Sequence, residues 1–225
     1  MTGAAARLAV QVAGRGRMED HPPGQPDGAR YEGRFVIYAM ADDKGPLFGE
    51  DVSLFDSDVV ARLGRGPQSA HFVAVRSGYT VEGFDTSSPE LVGQTVGRGS
   101  INSRWRVYFD PHPDGSRSFD DRASFMRGTL VATYSAEEFF QVNTRAEVFD
   151  TRVDYVILES EPFEFMGRRI DLAEIAPRMT ELSHAHLPEP DPDPEPVPDE
   201  EPFSRGGPGV FANHFPVGGT VIAVA

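Results

Sequence analysis

Residues 124–134 read SFMRGTLVATY, residues 138–148 read EFFQVNTRAEV, and residues 152–165 read RVDYVILESEPFEF. Each run is rich in β-branched and aromatic side chains, and only three residues separate one from the next. Parallel strands need a long crossover between them, usually helical, and connections this short leave no room for one. The three runs therefore predict an antiparallel meander.

Upstream, Trp105, Val107 and Phe109 alternate with Arg104, Arg106 and Tyr108 until Pro111-His112-Pro113-Asp114-Gly115 breaks the strand. Residues 95–99 lead into that strand. Residues 70–76 and 79–84 are two β-rich runs split by Ser77-Gly78, which predicts a tight hairpin. Between residues 31 and 40, Tyr31, Phe35 and Ile37 fall on one face, with Glu32, Arg34, Val36 and Tyr38 on the other. Residues 8–12 form a short first strand, and the Gly- and Pro-rich residues 14–28 read as loop. Val52, Phe55, Val59, Val60 and Leu63 fit a short helix, and one helical turn is expected around residues 172–175. About eight evenly spaced strands point to an all-β fold, an antiparallel β-barrel whose closure removes exposed sheet edges.

The barrel domain is expected over residues 1–187. Residues 188–202 place Pro at nearly every second position and carry Glu189, Asp191, Asp193, Glu195, Asp199, Glu200 and Glu201, half of the net charge of −14. They form an acidic polyproline linker. Residues 203–225 turn apolar again, and are expected to dock on the barrel or on a neighbouring subunit.

The acidic balance argues against nucleic acid, whose phosphates call for a basic surface, and equally against an anionic membrane. With no cysteine, thiol nucleophiles, disulfides and thiolate metal sites are excluded. The first residues lack the pattern of a secretory signal and no run reaches membrane-spanning length, so a cytoplasmic protein is expected.

His184-Ala185-His186, with Glu189 or Asp191 and His214, has the residue types of a cupin-like metal set. However, Pro188 interrupts the strand and no companion glycine motif follows, so solvent-exposed histidines are the plainer account and no metal or other cofactor is expected. The glycine clusters at 96–99 and 205–209 lack the strand–loop–helix setting of a phosphate cradle and read as turns. More informative are polar residues interleaved with apolar ones in long strands, because one face of each strand points into the barrel. Depending on register, Tyr38, Arg76, Glu82, Trp105, Tyr134, Gln141 and Tyr155 are candidates for an aromatic-walled pocket, unless they face solvent. Trp105 is the strongest of them, since its ring favours burial and its N–H seeks an acceptor. Arg76 and Glu82 are the candidates for polarising a carbonyl or taking a proton.

Gly33-Arg34-Phe35-Val36-Ile37-Tyr38, leading into Asp42-Asp43-Lys44-Gly45, resembles the early strand and turn of the allene oxide cyclase and dirigent barrel superfamily. The layout from residue 124 to 165 is also similar, and the likeness covers about half of the chain. The acidic Pro-rich segment and the apolar tail depart from that family. The resemblance implies a cofactor-free barrel that binds hydrophobic, oxygenated molecules and steers cyclisation or coupling; it carries over no catalytic residue. The expected function is therefore binding a polyketide- or lipid-like molecule and promoting its cyclisation or isomerisation. A non-catalytic carrier of the same fold is the alternative, as is an interaction protein that uses its acidic arm; a homo-oligomer is compatible with each reading.

Overall fold

In a computed structural model of the chain, burial alternates without a break from Tyr134 through Ala136, Glu138 and Phe140, while Glu137, Phe139 and Gln141 are exposed. Residues 129–143 are consequently one strand, not the end of one and the start of another. Ser135-Ala136-Glu137 contains no Gly, Pro, Asn or Asp, so no strong turn former resets the pleat there. The structure describes residues 6–20, 31–40, 53–77, 79–83, 94–99, 103–119, 121–143, 148–186 and 215–224.

Among these, the strands are β1 (Ala6–Asp20), β2 (Tyr31–Met40), β3 (Phe72–Ser77), β4 (Tyr79–Gly83), β5 (Gln94–Gly99), β6 (Arg104–Phe109), β7 (Thr129–Asn143), β8 (Val148–Ser160), β9 (Phe163–Phe165), β10 (Arg168–Ile170), β11 (Arg178–His186) and β12 (Phe215–Val224). The helices are α1 (Ser57–Leu63) and α2 (Leu172–Ile175). All pairings are antiparallel. β3 and β4 together make one stave, as do β5 and β6. Eight staves then run around the wall as β1, β2, β3/β4, β5/β6, β7, β8, β11 and β12, and β12 pairs back to β1. This is the closed barrel expected, with every stave beside its sequence neighbour.

Several local expectations are corrected. The run at 152–165 divides into β8 and the small strand β9. No hairpin forms at Ser77-Gly78, because β3 and β4 both lie along β2. Val36 faces Val75 and Gly33 faces Tyr79, a one-residue shift in a single line. Folding the two runs onto each other would strip β2 of its partner. β1 extends to Asp20 through the first part of the presumed loop. Gly14 permits this, since a Cβ there would fall 2.0 Å from the Val36 carbonyl oxygen. The helix near residue 60 begins only at Ser57, where the Asp56 carboxylate caps the amides of Asp58 and Val59, each at 3.0 Å.

β12 lies between β1 and β11, with ten residues paired to β1, so residues 215–224 are a stave of the barrel. Residues 188–202 and 205–209 lie outside the described residues. A second apolar layer, Val36, Val73, Val75, Tyr108 and Phe125, covers part of the outer wall. No helix among the described residues is long and apolar enough to cross a membrane.

Candidate functional site

The excursion between β8 and β11 packs against one end of the barrel. Its hairpin turns at Met166 (φ 49°) and Gly167 (φ 73°), both left-handed, as a two-residue type I′ turn requires. The hairpin drives Phe163 and Phe165 onto Phe72 and Phe109, with ring centroids 4.7–5.7 Å apart. Asp171 then caps α2 at the Ala173 amide (2.9 Å) and accepts the Ser160 hydroxyl (2.7 Å). The Tyr134 hydroxyl donates to the Ala176 carbonyl at 3.2 Å, tying the cap to the barrel interior.

Beneath the cap lies a cavity of about 120 Å³. Val10, Val12, Ile37, Ala39, Phe72, Ala74, Val107, Leu172, Met179 and Val221 form its aliphatic and cap-side wall, with the rings of Trp105, Tyr134 and Tyr155 completing it. That is close to the roughly 150 Å³ apolar cavity that takes up benzene, and below the roughly 300–1,000 Å³ of pockets for drug-sized ligands. Deeper along the axis is a smaller space of about 20 Å³, lined by Arg76, Glu138, Glu181, Thr151 and Ser183 among others. Ile37 and Trp105 line both, so the two compartments adjoin. Tyr155 bridges them, its ring in the apolar wall and its hydroxyl donating to Glu181.

Arg76 is ion-paired with Glu138 and donates from Nε to the Ser103 hydroxyl at 2.7 Å. Its guanidinium carbon stands 5.6 Å from the centre of the Trp105 ring. The Thr151 and Ser183 hydroxyls bond to each other at 2.6 Å. Arg76, Glu138 and Glu181 are all at most 2 % exposed, a depth at which charges survive only when paired and hydrogen-bonded.

Burial pushes the Glu181 carboxyl above the usual carboxylate range, against the opposing hydrogen bonds of Tyr155 and Ser183. Burial, reinforced by Glu181, holds the Tyr155 phenol well above its ordinary value, and burial also raises Tyr134. Both phenols are thereby fixed as hydrogen-bond donors. Glu181 retains a proton to higher pH than a solvated glutamate, the property a buried general acid needs.

Of the residues singled out from the sequence, Arg76, Trp105, Tyr134 and Tyr155 meet in this interior. Tyr38 shares the outward parity of Val36, opposite the cavity-lining Ile37 and Ala39; it is half-buried, edge-on to Phe55 at 6.4 Å. Gln141 is exposed on the outer face of β7. Glu82 lies in β4 opposite Arg98, and its side chain is outside the described residues.

The sequence reading missed Glu138 and Glu181. Glu138 sits four residues after Tyr134 in the same strand, but a break assumed at 135–137 hid their common parity. Glu181 alternates with Ser183 and Ala185, but the strand was read only around His184-Ala185-His186 and not back to residue 181. His184 is exposed, with Nδ1 2.6 Å from the Asp150 carboxylate, while Ala185 beside it points inward. Among the described residues, no three His, Asp or Glu side chains gather as a metal set would.

No known family, curated protein or solved structure matches this chain.

Proposed function

We propose that the barrel encloses a small, largely apolar, oxygen-bearing molecule and promotes its cyclisation or isomerisation without a cofactor. The observation that carries this reading is Tyr155, whose ring walls the apolar cavity while its hydroxyl reaches buried Glu181. A guest in the cavity has its hydrocarbon against aliphatic and aromatic side chains and its oxygen near the polar layer. Trp105, Tyr134 and Tyr155 confine it, and such confinement is the main source of rate in a reaction that needs one conformer. Glu181 gives a proton to the guest oxygen and takes one back, so the net change is an isomerisation. Arg76, held by Glu138, sets the local field.

Cytoplasmic location, and a small molecule in place of nucleic acid or membrane as partner, belong to the same reading. A carrier without turnover is the second reading, favoured by the bonds that Arg76 makes to Glu138 and Ser103, Thr151 to Ser183 and Tyr155 to Glu181. The only tryptophan is Trp105, in the wall of both compartments, so its emission reports on the interior. Titration with cyclohexanone is expected to shift Trp105 emission saturably. Conversion of small enones or epoxides, lost in Glu181→Gln, separates enzyme from carrier. A silent tryptophan with every small ketone and alcohol tried would end both readings.

A further inference from the structure

The side chains lining the two adjoining cavities include one guanidinium, Arg76, and two carboxylates, Glu138 and Glu181. Arg76 is ion-paired with Glu138. Glu181 faces the Tyr155 phenol from β8 and Ser183 on its own strand, with Arg76 on β3 and Glu138 on β7 acting on it at longer range. Among the described residues that line the two cavities, carboxyl groups therefore outnumber guanidinium groups by one.

A second observation concerns the wall. Tyr155 stands edge-on to Trp105 (6.3 Å, 71°) and to Tyr134 (6.2 Å, 79°), and all three rings line the apolar cavity. Trp105 already carries one cation near its ring, the Arg76 guanidinium. Aromatic corners backed by a carboxylate suit organic ammonium ions, which are drawn to the negative ring faces and are more weakly hydrated than inorganic cations. An anionic head, by contrast, would meet a layer already in acid excess and would leave water without a compensating charge.

We propose that the guest of this interior is a small organic ammonium ion, with its apolar body in the upper cavity and its protonated nitrogen toward Glu181. This rests on the reading of the interior as a guest site and deepens its carrier form, since a Glu181 carboxylate paired with an ammonium has no proton to give to a guest oxygen. Burial favours the protonated form of Glu181 and a neighbouring ammonium favours the carboxylate, so a proton released on binding keeps the local charge balanced.

Three probes with one ring test it: cyclohexylammonium, cyclohexanol and cyclohexanecarboxylate, titrated against the full chain at neutral pH with Trp105 emission as the readout. Cyclohexylammonium is expected to bind at least about tenfold more tightly than cyclohexanol, with proton release seen by calorimetry in two buffers, and the carboxylate to bind weakest. Glu181→Gln should weaken cyclohexylammonium about tenfold or more while leaving cyclohexanol within about threefold. Equal or tighter binding of the alcohol, or an ammonium affinity unmoved in Glu181→Gln, overturns the proposal and leaves the guest-site reading intact. If none of the three binds, the guest-site reading fails with it. Should Glu181→Gln not fold, Tyr155→Phe, which removes the hydroxyl that now bonds Glu181, is expected to keep or strengthen ammonium binding; a tenfold loss there counts against the proposal.

Discussion

The Arg76 guanidinium and the Glu138 carboxylate meet inside the barrel across an intervening stave, β6, with each residue 1 % exposed. Two ions at that depth lose their hydration, and the pair recovers it only while both are present. Arg76→Met or Glu138→Gln alone should therefore cost about 3–5 kcal/mol, because each strands a buried charge. The double replacement Arg76→Met/Glu138→Gln should cost less than the sum of the single changes. Urea unfolding of the four proteins checks this, and additive losses would mean that the pair is not coupled.

Glu181 binds its proton more tightly in the folded barrel than in the unfolded chain. That preference favours folding below the ordinary carboxyl value of 4.5, and the benefit fades as pH rises through the elevated folded value. An amide at this position is neutral throughout. The melting temperature of Glu181→Gln relative to the parent should accordingly climb as pH rises above 4.5. A pH-independent difference would show that the carboxyl is not the titrating group.

Ala74 is a small side chain in the wall of the apolar cavity. Ala74→Leu adds methyl groups into existing space, so the melting temperature should hold or rise while the Trp105 response to small guests disappears. Retained guest binding in that variant would place the guest elsewhere.

β12 supplies ten residues in register with β1 and five with β11. Deleting residues 215–225 bares both neighbouring edges, and exposed edges recruit other chains. The truncated protein should lose cooperative unfolding and elute as aggregates. A protease site engineered within 188–202 should, once cut, leave the C-terminal peptide bound through gel filtration. Release of that peptide with no change in melting would contradict its place in the wall.

The turn at Met166-Gly167 positions Phe163 and Phe165 in the cap. Gly167 has φ 73°, so Gly167→Ala should cost about 1 kcal/mol, measured by thermal unfolding.

Much of this molecule was legible in one dimension. Alternation put Trp105, Val107 and Phe109 on one face, and short connections between long β runs specified antiparallel neighbours. The count of runs called for a closed wall. These are local properties: the pleat repeats every two residues, and turn residues declare themselves. By contrast, a Ser-Gly pair reads as a hairpin until β2 is found occupying the same side of both flanking runs, and Gly14 reads as loop until Val36 is found where its Cβ would be. That Glu138 reaches Arg76, that Tyr155 reaches Glu181, and that the tail closes the ring between β1 and β11 were decided only by tertiary structure. These partners lie 26 residues or more apart along the chain, and the curvature and stagger of the closed sheet, which no local pattern encodes, bring them together.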